Sequence, residues 1–216
     1  MRPQILWILI IAILGGTVVF GSEQIPTING DTVRPVIAVW REDLGLQTQN
    51  RGPFLITAIW QDGKIIWSKD SIQGGPPYYQ GQIDTKVLDK ALRDLEPNKT
   101  FNAPYIRKNN FGPDSFYTGM YLSYRTHTFL SRSWHELAEQ NPNLVAASYG
   151  LTALHGKTRE DFLKADTKDY MQYRALWQRI RKQIASLVPK QEEQKAIEFE
   201  MEDILFAVPL KTEKPH

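Results

Sequence analysis

The residues that could perform chemistry are concentrated between Arg125 and Gln140, where the sequence reads RTHTFLSRSWHELAEQ. This stretch holds His127 and His135, and Glu136 directly follows the second imidazole. An imidazole beside a carboxylate can serve in general acid–base catalysis or in a zinc site. His127 and His135, with Glu136 or Asp114 as the carboxylate, are therefore the candidate residues of a hydrolase or a metal-assisted enzyme.

The spacing of these residues argues against both kinds of chemistry. The sequence contains no H-x-H, H-x-x-x-H or H-E-x-x-H pattern, and it has no cysteine to ligate a metal or act as a nucleophile. It also lacks a G-x-S-x-G elbow, and no Lys-Ser or Lys-Thr pair follows the paired glycines of IQGGPPYYQG. We therefore expect no metal and no cofactor, and we favour a non-enzymatic protein over the hydrolase alternative.

Tyrosines supply the second candidate site. Tyr117 and Tyr121 lie at even spacing in a predicted strand, so both side chains point to the same face of a sheet. If that face is exposed, the two rings form a flat platform for a glycan or a partner protein. If helices from the C-terminal half cover it, the rings are core residues with a polar tip. The platform is the candidate binding site.

The stretch from Arg125 to Gln140 is also interpreted as the junction between a strand and a helix. Residues 125–132 form the turn and the return arm of a predicted hairpin over 116–132, and the turn falls near Arg125-Thr126. Ser133 and Glu136 have the spacing of a capping box, in which the side chain of each residue accepts a backbone N–H of the other. This interpretation makes Glu136 part of the cap and a poor general base.

The clearest local pattern is the sequence PFLITAIWQDGKIIWSKD, in which Asp62-Gly63 separates two β-rich arms. We predict a two-residue type I′ hairpin, because Asp and Gly tolerate the positive φ values of that turn. This register places Trp60 opposite Ile65 and Ala58 opposite Trp67. One face is then wholly apolar and covers a core, with residues Phe54, Ile56, Ala58, Trp60, Ile65 and Trp67.

Helical periodicity identifies the elements that pack on this sheet. A stripe of apolar residues predicts a helix over 85–96 that Asp84 or Thr85 caps and that ends before Pro97. A second stripe predicts a helix over 167–188 that Thr167 caps. The period-two alternation in AIEFEMEDILFAVPL favours a last strand at a sheet edge. The predicted class is α+β, with an antiparallel sheet of two β-hairpins plus edge strands packed against one middle helix and a C-terminal helical region.

Composition and the terminal segments set the expected organisation and location. Residues 1–21 predict a signal peptide or an uncleaved membrane anchor, because one Arg precedes the uncharged apolar run at 5–20. A linker at 22–34, a single α+β domain at 35–188 and an acidic extension at 189–216 follow. The absence of cysteine is compatible with a bacterial exported protein.

We therefore expect an extracytoplasmic interaction module, either periplasmic, secreted or anchored by a single pass. Its expected partner is a protein or a glycan, and it contacts the membrane through the N-terminal segment if that segment remains uncleaved. The near balance of 26 basic and 24 acidic residues argues against nucleic acid, which requires a concentrated basic surface.

Overall fold

The computed structural model describes residues 34–43, 53–101, 116–190 and 195–197. Within these ranges, the strands of the main sheet are β1 (Ile37–Asp43), β2 (Phe54–Ile59), β3 (Lys64–Ser68), β4 (Tyr78–Gln82), β5 (Phe116–Tyr124), β6 (His127–Ser133) and β9 (Lys195–Ile197). These seven strands are antiparallel to their neighbours and lie in the order β6-β5-β1-β2-β3-β4-β9. A separate two-stranded ribbon consists of β7 (Leu144–Ala147) and β8 (Gly150–Ala153).

The helices in the described ranges are α1 (Thr85–Asp94), α2 (Pro97–Thr100), α3 (His135–Ala138), α4 (Arg159–Lys164) and α5 (Lys168–Ala185). The α+β class with an antiparallel sheet is therefore confirmed. None of the described helices is long and apolar enough to span a bilayer. The predicted N-terminal segment, 1–21, and all of the predicted linker except Arg34 lie outside the described residues.

The first hairpin forms, but its predicted register is wrong by one residue. Ile59 pairs with Ile65, and the N–H of Gly63 donates to the carbonyl of Trp60 at 3.0 Å. The N–H of Trp60 in turn donates to Lys64 O at 2.9 Å. With Gly63 at a φ of +87°, this is a three-residue loop made of a type I turn and a bulged glycine. The extra loop residue shifts every pair along β3.

Both faces of this hairpin are buried, whereas the sequence predicted one apolar face. The pairing of β1 with β2 shifts between Val39 and Trp40, so Ile56 is an additional, bulged residue in β2. The bulge moves side chains between faces. One face, with Ile56, Ile59, Ile65 and Trp67, packs in the cluster that contains α1 and α5. The other carries Leu55, Ala58, Trp60 and Ile66.

The two predicted helices pack against the first of these faces, which carries Ile56, Ile59, Ile65 and Trp67. The buried residues of α1 and α5 in this cluster are Leu88, Ala91, Leu92, Tyr173, Leu176, Trp177, Ile180 and Ile184. Each helix begins at a side-chain cap: Asp84 accepts from the backbone N–H of Lys86, and Thr167 accepts from that of Tyr170. Periodicity and capping therefore located both helices correctly.

The second hairpin turns where the sequence predicted. Tyr124 pairs with His127, which leaves Arg125 and Thr126 as a two-residue turn with Arg125 at a φ of +54°. At the opposite side of the sheet, β9 pairs with β4 as an edge strand. The alternating residues from 198 onward lie outside the described ranges.

Candidate functional site

His135 begins α3 and lies between the end of β6 and the middle of α5. The side chain is only 2% exposed, and its ring meets Tyr173 and Trp177 edge-on at centroid distances of 6.1 and 5.6 Å. The Nδ1 atom of His135 contacts the hydroxyl of Ser133, which also accepts the backbone N–H of His135 at 3.3 Å. A Ser–His contact therefore exists, as a nucleophile–base pair requires.

The environment of His135 keeps its imidazole uncharged. Burial is the main cause that lowers the pKa of His135 well below its ordinary range, and the positive charge of Arg174 lowers it further. The neutral ring has the charge state of a general base. Ser133 and His135 are, however, only 3% and 2% exposed, so a substrate has no route to the pair in this conformation.

The predicted capping box does not form at this position. The carboxylate of Glu136 accepts a hydrogen bond from Arg181 Nε at 3.0 Å, and α3 has no side-chain hydrogen bond at its N-cap. Arg181 also donates to the carbonyl of Ser71 at 2.9 Å. Glu136 therefore connects α3 to α5. Its carboxylate binds the charged side chain of Arg181 and not the backbone N–H of Ser133, which the capping box would have used.

His127 and His135 do not converge. His127 is the first residue of β6, and His135 lies two positions after its last residue, Ser133. Six steps of about 3.3 Å put the two ends of this strand about 20 Å apart. Within the described ranges, no group of three His, Asp or Glu side chains could hold a metal ion. Asp114, the other proposed carboxylate, lies outside the described residues.

The two tyrosines of the proposed platform are buried. Tyr121 is 5% exposed and lies in the apolar cluster that contains Trp40, while Tyr117 is 7% exposed and packs with Trp134 and Ala146. Neither ring therefore offers a flat exposed face. The platform required an uncovered sheet face, but in the folded chain the side chains on both faces at this point are enclosed.

A polar network joins α3, the ribbon and α5 around Arg174. The guanidinium donates two hydrogen bonds to the carboxylate of Glu139, each 2.8 Å long, and one of 3.4 Å to the carbonyl of Ala146. The hydroxyl of Tyr170 also donates to Ala146 O, at 2.8 Å. Since Ala146 lies in β7, this network fixes the ribbon against α5.

The tip of the ribbon is anchored but carries exposed apolar side chains. The backbone N–H of Ser148 donates to Asp166 Oδ2 at 2.8 Å, just before α5 begins. Tyr149, in the turn, is 69% exposed, and Leu151, in β8, is 52% exposed. This ribbon was not predicted from the sequence. The short apolar arms of LVAASYGLTA were the signal for a hairpin.

Comparisons with protein-family models, with curated proteins and with solved structures found no match. A functional proposal therefore rests on the sequence and geometry of the chain itself.

Proposed function

We propose that the chain is a non-enzymatic interaction module that binds a partner protein through the tip of the β7–β8 ribbon. The observation that carries this proposal is the exposure of Tyr149, at 69%, beside Leu151 on the same hairpin. Tyrosine is enriched in protein interfaces, because its ring buries a large apolar area and its hydroxyl retains a polar contact. The ribbon therefore presents an aromatic and an aliphatic contact at one place.

Rigid support of the ribbon favours binding. Ser148 is hydrogen-bonded to Asp166, and the carbonyl of Ala146 accepts from Tyr170 and Arg174. A surface that is already ordered loses less conformational entropy when a partner binds it. The hydrogen bonds to α5 and to Asp166, just before it, hold the backbone beneath Tyr149 in place.

A polypeptide is the partner that suits this surface better than a glycan. Among the described strands, β8 pairs only with β7, so its outer side is a strand edge. The edge of a strand can align main-chain groups with those of an extended peptide, while neighbouring side chains supply apolar contacts. A glycan platform at Tyr117 and Tyr121 would instead need exposed rings, and both are buried.

The proposed location is extracytoplasmic, either periplasmic, secreted or held by a single N-terminal anchor. The support is the sequence alone: Arg2 precedes an uncharged apolar run at 5–20. Cell fractionation with N-terminal sequencing of the recovered chain tests it. We expect the chain in the membrane or outside the cytoplasm, and the uncut chain in the soluble cytosol would refute the proposal.

A photo-crosslinking residue at position 149 of the full chain tests the binding surface in intact cells. The control places the same residue at Val87, which is 52% exposed on α1. We expect a discrete protein adduct from position 149 and none from position 87.

The affinity of the identified partner, once purified, gives a second test. It should bind Tyr149→Ser at least tenfold more weakly than the wild type, and it should bind Val87→Ser with the affinity of the wild type. Equal labelling at both positions, or equal affinity of all three chains, contradicts the proposal.

The alternative function is a hydrolase or a metal-assisted enzyme that uses His127 or His135 with a carboxylate. The contact between Ser133 and His135 is the observation that favours it. Elemental analysis of the purified full chain and of His135→Ala tests the metal-assisted form of this alternative. Stoichiometric metal that is lost in a variant with unchanged circular dichroism would support the enzyme and overturn the interaction module.

A further inference from the structure

We propose that a buried water molecule is bound where β5, α3 and α5 meet, held by Thr118, His135 and Trp177. The three polar atoms are Thr118 Oγ1, His135 Nε2 and Trp177 Nε1, and we call them the junction site. All three are buried and have no hydrogen-bond partner within the described part of the chain. Buried polar groups in folded proteins are almost always satisfied, either by the protein or by ordered water.

A chain of contacts links the three residues that carry these atoms. Thr118 is directly opposite Ser133 in the pairing of β5 with β6, so their side chains share one face of the sheet. The hydroxyl of Ser133 contacts His135 Nδ1, and the ring of His135 lies 5.6 Å from that of Trp177. Tyr173 adjoins the same space, with its hydroxyl 3.4 Å from Ser131 Oγ.

The three groups have complementary hydrogen-bonding roles toward one water. The indole of Trp177 only donates, the hydroxyl of Thr118 donates and accepts, and a neutral imidazole has one donor and one acceptor nitrogen. If the proton of His135 lies on Nδ1, toward Ser133 Oγ, then Nε2 accepts from the water. The water in turn accepts from Trp177 and makes its third hydrogen bond with Thr118, the usual number for a buried water.

A metal cation does not suit this position. The junction site offers one imidazole and no carboxylate, and Arg174 is close enough for its charge to act on His135. Water satisfies both donors and acceptors without introducing a charge into the interior. The proposal therefore assigns a neutral ligand to the junction site and the Nδ1-protonated tautomer to His135.

Nuclear magnetic resonance on the 15N-labelled full chain tests this assignment. We expect a persistent cross-peak between water and the indole N–H proton of Trp177. Trp40 provides the matched control, because its buried indole already donates to Glu42 Oε1 at 2.6 Å and should show no such peak. The imidazole nitrogen shifts of His135 should report a proton on Nδ1 and none on Nε2.

The variant Thr118→Val gives a second readout, because it replaces the hydroxyl with a methyl group of similar shape. If Thr118 holds the water, the cross-peak at Trp177 should weaken at least twofold in the variant. Absence of a water cross-peak at Trp177 in the wild type, with contacts from its indole proton only to the ring of His135, would overturn the proposal. So would an unchanged cross-peak in Thr118→Val. These outcomes are independent of whether the β7–β8 ribbon binds a partner.

Discussion

Arg174 and Glu139 face each other through two parallel hydrogen bonds, each 2.8 Å long, which join the middle of α5 to the segment after α3. Burial disfavours the charge of the guanidinium, but hydrogen bonds and charge from Glu139, with a smaller contribution from Tyr170, outweigh it and raise the pKa of Arg174. The guanidinium therefore stays charged, and its hydrogen bonds to Glu139 and to Ala146 hold the end of α3 and β7 to α5, which lies later in the chain.

Arg174→Met is expected to lower the free energy of unfolding by about 3 kcal/mol, because Glu139 loses both short hydrogen bonds to the guanidinium. It keeps only the N–H of Ala146 at 3.2 Å and the longer contact with Arg159 Nε at 3.9 Å. Arg174→Met with Glu139→Leu should recover part of that loss. Urea denaturation of the wild type, both single variants and the double variant measures the coupling as a thermodynamic cycle. Lys90→Met is the control for an exposed ion pair, here with Asp94, and should cost less than about 1 kcal/mol. Additive losses in the cycle would contradict the role given to this pair.

His135→Gln is expected to flatten the pH dependence of stability between about pH 6.5 and pH 5, because an ordinary histidine titrates near 6.5. In the folded chain, burial and then Arg174 hold the pKa of His135 well below that value. The unfolded chain therefore binds a proton that the folded chain excludes. This contribution is present above about pH 6.5 and is lost as the pH falls, at up to about 1.4 kcal/mol per pH unit.

Urea denaturation at several pH values measures the slope for wild type and His135→Gln. Arg174, the charged group that acts on the ring, is unchanged in the variant. His127→Gln removes an imidazole at the far end of β6 and serves as the control. Equal slopes in the wild type and in His135→Gln would show that His135 does not cause the acid sensitivity.

Gly119→Ala is expected to destabilise the sheet by about 3 kcal/mol, because the added methyl group overlaps the ring of Trp40. A Cβ atom at position 119 would lie well inside van der Waals contact with Cε2 and Cζ2 of that ring, and 2.7 Å from Nε1. Gly156→Ala is the matched control, since nothing lies within 4 Å of its Cβ position. With a φ of +81°, that control should cost about 1 kcal/mol from the backbone alone. Thermal and urea denaturation should rank the two in this order.

Thr167→Ala is expected to cost about 1 kcal/mol, because its hydroxyl caps the first turn of α5. The hydroxyl accepts the N–H of Tyr170 at 3.3 Å. Thr167→Ser keeps the acceptor and should retain most of the stability. An equal loss in the Ser and Ala variants would mean that the methyl group of Thr167, and not its hydroxyl, stabilises this end of the helix.

Elements that local chemistry specifies were predicted well. Thr167 and Asp84 cap the helices at the expected positions, because an N-cap needs only a backbone N–H two or three residues away. The turn at Arg125-Thr126 was located as the place where two alternating arms meet. In each case the interacting groups are near neighbours in sequence, so their spacing contains the information.

Elements that depend on distant contacts were predicted poorly. The spacing of Ser133 and Glu136 suggested a cap, but Arg181, far along the chain, takes the carboxylate. The bulge at Ile56 changes which side chains share a face, and it appears only when β1 pairs with β2. No spacing rule could supply the partner in either case, because the partner comes from another part of the chain.

The sequence by itself determined the α+β class, the two main helices and the two long hairpins, because periodicity and caps act over a few residues. Only the tertiary structure decided that Tyr117 and Tyr121 are enclosed, that His127 and His135 lie at opposite ends of β6, and that His135 is sealed beside Ser133. Only the tertiary structure placed the ribbon with Tyr149 against α5. Exposure and convergence depend on which surfaces meet across the fold, and that is a property of the packed chain and not of any segment.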